Sequence, residues 1–321
     1  MGNPISSANR HAWAYGEHRP QVISHRGCAG LAPENTLSSI RKALELKVDG
    51  IELDVQLTKD GQVVVHHDRA LDPNRTKNKD GEWITDNSLF IDKVDLEELL
   101  YYTVGEIKPG LNTYPFLQQT SGETIPTLKE VFKQVKNSTS RSLEFFIELK
   151  IFSCLSEDTS KLEAFIHATL KEIKKADFIE CTHILSFNHK VLTLARYLYP
   201  NIRIAYLFEP NSLSYSIEAE SVNSACSHAR LAKYVRQAGG TCFSPPFKDD
   251  KGRYITKEQV KMIQKEGLEC RVWTPNYPRD LKKMIKLGVD GIITDRPDIL
   301  INLLKDPRHD SGENQETCKN I

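Results

Sequence analysis

Between Gln21 and Asp68 the spacing of apolar positions changes several times, and each change predicts an element. Gln21-Val22-Ile23-Ser24 is a short apolar run and reads as a strand. Leu37, Ile40 and Leu44 then fall three and four apart, the stripe of a helix that runs through Leu46 and that Asn35 or Thr36 can cap. From Gly50 the period drops to two. Ile51, Leu53, Val55 and Leu57 alternate with Glu52, Asp54 and Gln56, so Glu52 and Asp54 share one face of a strand. Thr58-Lys59-Asp60-Gly61 supplies turn residues, and Val63, Val64 and Val65 form the return arm of a hairpin that sets His67 about opposite Glu52. Strand, helix and strand make a βαβ unit. His25-Arg26-Gly27 stands where its first strand runs into a loop, the place where α/β folds collect ligands. Taken alone, the hairpin face is either a site or the wet side of an ordinary amphipathic hairpin.

The alternation breaks over residues 69–124, which carry turn signals, exposed-looking aromatics (Trp83, Phe90, Tyr101, Tyr102, Tyr114, Phe116) and one helix expected over Asp95 to Tyr102. This segment is either a functional cap or an insertion that packs its own aromatics. Helix and strand then alternate again: helix from Thr127 through Val135, strand Leu143 to Lys150, and further helix–strand pairs to Thr294. With the return arm set aside, eight strands begin near residues 21, 50, 143, 183, 203, 241, 269 and 291, which predicts a (β/α)8 TIM barrel. A doubly wound sheet shares the alternation, but the first βα turn, Arg26 to Thr36, has no GxGxxG fingerprint. The expected organisation is an N-terminal extension over 1–19, the barrel with its 69–124 insertion over 20–303, and a polar, disordered tail over 304–321.

Composition narrows the partners. Lys plus Arg and Asp plus Glu are 43 each, so no net field attracts nucleic acid or an anionic membrane. Seven cysteines without CxxC spacing argue against a disulfide framework or structural zinc and for a reducing compartment. No apolar run approaches the roughly 20 residues of a membrane span, and no secretory signal pattern opens the chain. A cytoplasmic protein is expected. Gly2 and Ser6 fit the N-myristoylation pattern, and one acyl chain would give weak membrane contact. Cys318 has the place of a prenylation cysteine without its aliphatic neighbours.

Closing the barrel would bring His25, Arg26, Glu52, Asp54, His67, Glu148, Lys150 and Trp273 to one rim. Glu148 and Lys150 lie two apart at the C-terminal end of an otherwise apolar strand, where barrel active sites are built. Three carboxylates with no cysteine ligand suit a hard divalent ion, Mg²⁺ or Ca²⁺. A cation with Arg26 and Lys150 suits a phosphate, and two histidines flanking a phosphodiester could divide acid and base work. Ordinary rim ion pairs are the competing account, and it would have to cover the whole set.

These residues carry a resemblance. HRGCAGLAPENT at 25–36, ELDVQLTKDG at 52–61, VVHHD at 64–68, IPTL at 125–128, ELK at 148–150, VWT at 272–274 and IITDRP at 292–297 resemble the glycerophosphodiester phosphodiesterase family over about residues 20–303. The resemblance implies a TIM barrel of the phospholipase C-like phosphodiesterase type that hydrolyses glycerophosphodiesters to glycerol 3-phosphate and an alcohol with a divalent metal. By the same analogy Glu52, Asp54 and Glu148 hold the metal, and His25 and His67 are acid and base. Arg26 and Lys150 bind phosphate, and Trp273 lines the glycerol side. Two departures stand out. Leu71-Asp72-Pro73-Asn74-Arg75-Thr76 inserts two residues where the family often reads LDRTT, and His66 adds an imidazole that by alternation points away from His67. The aromatic 69–124 segment keeps open a lysophospholipase D acting on lysophospholipids. A catalytically silent metal- or partner-binding barrel would have lost at least one acid or histidine, and all are present.

Overall fold

The computed structural model describes residues 19–111, 114–139, 141–152, 158–209 and 224–305. The acylation pattern at Gly2 and the terminal Cys318 lie outside the described residues. Along the chain, strand β1 (Gln21–Ser24), helix α1 (Leu37–Leu46), β2 (Gly50–Leu57) and β3 (Val63–Val65) come first, followed by the short α2 (Leu96–Leu99) and α3 (Leu128–Ser138). Then come β4 (Glu144–Leu149), α4 (Thr159–Lys175), β5 (Thr182–Ser186), α5 (His189–Leu198), β6 (Arg203–Leu207) and α6 (Ser224–Gln237). The chain continues through β7 (Cys242–Ser244), α7 (Lys257–Lys265), β8 (Glu269–Trp273), α8 (Pro278–Leu287), β9 (Gly291–Thr294) and α9 (Pro297–Lys305).

The helices begin where the sequence supplies caps. Thr36 and Ser39 close a capping box at α1, Thr127 and Glu130 do so at α3, and Thr256 and Gln259 at α7. On α3 the buried side chains are Leu128, Val131, Phe132 and Val135, the face that the three-and-four spacing requires. Helix α9, which the sequence reading leaves out, buries Pro297, Leu300, Ile301 and Leu304.

Strands β1, β2 and β4 to β9 pair in parallel, and β1 bonds both β2 and β9, so the sheet closes on itself as a TIM barrel. Closure is uneven. Gln21 to Ser24 pair with Gly291 to Thr294 along the whole of β1, whereas β1 meets β2 only at Ile23–Gly50 and Ser24–Ile51. Strand β2 outruns β1, and its far half pairs antiparallel with β3, Val55 facing Val65 and Leu57 facing Val63. The expected hairpin is therefore present with its register moved by one. His66 N donates to Asp54 O at 3.0 Å, so Asp68 rather than His67 falls opposite Glu52.

Alternation along the strands layers the barrel interior. At its N-terminal end Arg271, almost fully buried, hydrogen-bonds the Gln21 amide oxygen at 2.9 and 3.1 Å and pairs with Glu269 and Glu144 at 2.5 and 3.7 Å. Above it sits an apolar plug of Ile23, Phe146, Leu185, Ala205, Leu207, Cys242 and Ile293. Of the next inward positions, at the C-terminal rim, His25, Glu148 and Asp295 are polar, while Phe187 and Trp273 cover the plug.

Residues 69–124 leave that rim and return to it. They hold a small core of their own, in which Leu71, Ile91, Val94 and Leu99 pack with Val64 and Ile125. The expected helix over Asp95 to Tyr102 is shortened to one turn, because Thr103 is drawn into pairing with Lys77 and Thr124 and leaves Leu100 and Tyr101 exposed.

Gly50 abuts the plug: a Cβ there would stand 2.6 Å from the Phe146 ring. Gly50→Ala is expected to cost about 1–3 kcal/mol by overpacking. Urea denaturation will show this as a lower midpoint with an unchanged slope.

Candidate active site

The rim begins with three acids. Glu52 and Asp54 point inward from β2, and the β2–β4 register sets Asp54 directly beside Glu148. Oxygens of Glu52, Asp54 and Glu148 all lie within 4.8 Å of one another, and all three residues are buried. Crowding splits their protonation. Burial and the neighbouring Asp54 charge push Glu52 up to about 8. Burial, opposed by Lys150 and reinforced by Asp54, raises Glu148. Burial would raise Asp54 as well, but Arg26 and Lys150 hold it down to about 2. The donor set is all oxygen, it is out of water, and it is short of positive charge, which fits a hard divalent cation.

Two cations stand against these acids. Lys150 Nζ lies 2.9 Å from Glu148 Oε1 and 3.7 Å from Asp54 Oδ1. Arg26 Nε lies 3.3 Å from Asp54 Oδ2 without hydrogen-bond alignment, which leaves that buried donor unpaired, while its Nη1 reaches Glu34 at 2.9 Å. Backbone geometry makes this possible. Arg26 takes φ +50° and Gly27 φ +83°, and at Gly27 a Cβ would collide with Ser39. The turn aims Arg26 N at Glu52 Oε2, 2.9 Å away, and Gly27 N at Glu52 O, 3.1 Å away. Asn35, also left-handed at φ +56°, donates to Asp54 Oδ2 at 2.9 Å.

The two histidines differ in their surroundings. His25 follows β1; its Nδ1 lies 2.6 Å from Asp295 Oδ1 and its Nε2 3.9 Å from Glu52 Oε2. Burial alone would lower its pKa, but the Asp295 hydrogen bond and charge and the Glu52 charge outweigh it and leave it raised. His67, about a third exposed, pairs with Asp68 at 2.7 Å, and a charge on it would help to hold down both Asp54 and Glu148. His66 faces a different way: it is half-buried, its pKa is lowered chiefly by desolvation, and it lines a cavity next to the site. Trp273 ends β8, donates its indole N–H to Ser244 O at 3.0 Å, and meets the Phe187 ring edge-on above the apolar plug.

A cavity of about 350 Å³ adjoins the site through Asn35, which donates to Asp54, and Glu34, which pairs with Arg26; the three acids themselves do not line it. Its lining mixes polar residues, Glu34, Asn35, His66, Asp68 and Arg75, with apolar ones, Val104, Ile107, Pro115 and Leu117, and the 69–124 segment supplies members of both sets. The segment touches the site through Tyr114, whose hydroxyl reaches Asp295. All eight singled-out residues stand on the C-terminal rim. The sequence reading assigned nothing to Asp295, Asn276 or Tyr114, which support His25, nor to Glu34, which ties Arg26 to Arg75. For Asp295 a signal existed: it is the first residue after β9, as His25 is after β1.

Comparison with known proteins agrees with this geometry. The family model described as "Glycerophosphoryl diester phosphodiesterase family" matches residues 25–299. A glycerophosphodiester phosphodiesterase of Caldanaerobacter subterraneus is 35% identical over 289 residues, covering 88% of this chain and 97% of the relative. Among solved structures, one from Silicibacter pomeroyi that bears the same family name superposes with a TM-score of 0.80 at 27% identity, over 91% of this chain and 98% of the other. An Oleispira antarctica phosphodiesterase in complex with the product sn-glycerol-3-phosphate matches with a TM-score of 0.67 at 25% identity, over 91% and 99% of the two chains.

Proposed function

The chain belongs to the glycerophosphoryl diester phosphodiesterase family, and on that premise we propose that it hydrolyses glycerophosphodiesters to glycerol 3-phosphate and an alcohol. The observation that carries this reading is the gathering of Glu52, Asp54 and Glu148 beside two cationic side chains and two histidines. We propose Glu52, Asp54 and Glu148 as ligands of a divalent cation, Mg²⁺ or Ca²⁺; when bound, it supplies positive charge that lowers the repulsion between a phosphodiester and its attacker. The solved relative that holds sn-glycerol-3-phosphate supports the glycerol side of the substrate.

The chain's own residues would act as follows. Arg26 and Lys150 pair with phosphate oxygens and stabilise charge that builds on them in the transition state. Of His25 and His67, one takes the proton of the attacking hydroxyl, and the other gives a proton to the departing alcohol oxygen as its bond to phosphorus breaks. Their separate carboxylate partners, Asp295 and Asp68, support the division of roles. Trp273 is proposed to border the glycerol. The cavity beside Glu34 and His66 is proposed to take the alcohol portion, and the charged part of its lining favours a small polar head group. The apolar part of its lining, with Val104, Ile107 and Leu117, is the observation that favours a second reading, a lysophospholipase D. All three acids and both histidines are retained, which speaks against a silent barrel.

His25→Ala and His67→Ala are each expected to lower kcat by about 10²- to 10⁴-fold while Mg²⁺ or Ca²⁺ affinity by calorimetry is kept. Glu52→Ala is expected to lose both. Wild-type-like turnover in both histidine variants would remove the acid–base assignment. In a second test, glycerophosphocholine and lysophosphatidylcholine are offered side by side with Mg²⁺ or Ca²⁺. Glycerophosphocholine should be cleaved faster, and a chelator should abolish the reaction. Faster release of choline from lysophosphatidylcholine would favour the second reading, and product from neither would favour a silent barrel.

A further inference from the structure

We propose that Tyr114, carried by the segment between β3 and α3, is a positioning residue for this reaction: it holds Asp295, and Asp295 holds the ring of His25. The inference rests on the reading of His25 as one of the acid–base pair.

The contacts form a chain. Asp295 Oδ1 takes His25 Nδ1 at 2.6 Å, and Asp295 Oδ2 accepts from the Tyr114 hydroxyl at 2.5 Å and from Asn276 Nδ2 at 2.6 Å. Asn276 is itself held, because its Oδ1 accepts from Asp295 N at 2.9 Å and from the Thr294 hydroxyl at 3.0 Å. With both oxygens engaged and the residue buried, the carboxylate cannot swing about its Cβ–Cγ bond without breaking charge-assisted hydrogen bonds. An imidazole tied through Nδ1 to a fixed carboxylate has its orientation and tautomer set, and it presents Nε2 to the acids on the other side, 3.9 Å from Glu52. The same logic applies to histidines oriented by an outer carboxylate in metal sites and triads.

Tyr114 stands apart from its partners because it comes from the 69–124 segment, whereas His25, Asn276 and Asp295 lie in the loops that follow β1, β8 and β9. The piece of chain that carries it is tied to the rim at two further points: Gln118 N donates to Leu31 O at 2.9 Å, and the Phe116 ring lies 5.0 Å from the Arg296 guanidinium. These ties do not involve the Tyr114 hydroxyl. The hydroxyl also accepts from Asn276 Nδ2 at 3.2 Å, so its removal should leave the segment seated and take one donor from Asp295 and one acceptor from Asn276, which itself holds Asp295. On this account the insertion contributes to turnover and does more than cover the site.

The test uses the full chain with Ca²⁺ and glycerophosphocholine, and compares Tyr114→Phe, Asp295→Asn, the double variant and His25→Ala. Asp295→Asn is expected to lower kcat by about 10- to 100-fold with KM held within about 3-fold, and Tyr114→Phe by about 3- to 10-fold with the same signature. Ca²⁺ affinity by calorimetry should not move. The double variant should be no slower than Asp295→Asn, because Tyr114 acts only through that carboxylate. Losses that multiply, or an effect confined to KM, would overturn the proposal and leave Tyr114 as a wall of the cavity. Should Asp295→Asn fail to fold, His25→Ala takes its place in the cycle: adding Tyr114→Phe to it should cost nothing further, and a further loss would overturn the proposal. If His25→Ala turns over like wild type, the acid–base reading itself falls. If His25→Ala is inactive while Asp295→Asn is unimpaired, only this inference falls.

Discussion

Three buried carboxylates that cannot all be charged without company set the terms for the C-terminal rim. At separations within 4.8 Å, each pair of like charges repels by about 3–4 kcal/mol at an effective dielectric near 20. The chain meets this in three ways. Arg26 and Lys150 flank Asp54, burial favours a proton on Glu52, and Asn35 donates a neutral hydrogen bond. Each solution has a structural cost. Arg26 and Asn35 both take left-handed backbone, a conformation that side chains other than glycine rarely adopt and that the surrounding contacts must enforce. The compression of so much charge into one corner is hard to account for by fold stability, and it suits the capture of a cation and an anion together.

The apolar plug gives this corner its low-dielectric floor. Ile23, Phe146, Leu185 and Ile293 separate the acids from a second polar layer, where Arg271 is surrounded by Gln21, Glu144 and Glu269. Because inward positions alternate along each strand, one strand serves both ends: β4 contributes Glu144 below, Phe146 in the middle and Glu148 above. A single set of strands thus builds both the insulation and the site. Strand β2 adds a further device. By outrunning β1 it lets β3 pair with its far half, which carries His67 to the rim beside Asp54 and Glu148.

How much of this could be read from the sequence depended on how far each contact reaches. The strands and most helices announced themselves through local period and caps, as at Thr36 and Thr127, and their order was enough for a barrel. The eight rim residues were legible because they sit at strand ends in recurrent motifs. The hairpin register came out one residue off, since turn geometry rather than alternation decides which residues face each other. The helix expected over Asp95 to Tyr102 shrank because pairing of Thr103 with Lys77 and Thr124 overrode local propensity. Of the groups that support His25, Asp295 left a signal at the end of β9, but Tyr114 did not: it lies in a stretch without period, and it meets Asp295 across 181 residues of sequence.

The bond between His25 and Asp295 joins residues 270 positions apart, and it lies where the first and last strands of the ring meet. Glu52, Asp54 and Glu148 all come from the first half of the chain, whereas the carboxylate that grips His25 follows the last strand. Gln21 to Ser24 pair with β9 over their whole length, so the seam that closes the ring and the bond that orients the imidazole depend on the same late segment of sequence. A polypeptide cut short before β9 would lose both at once.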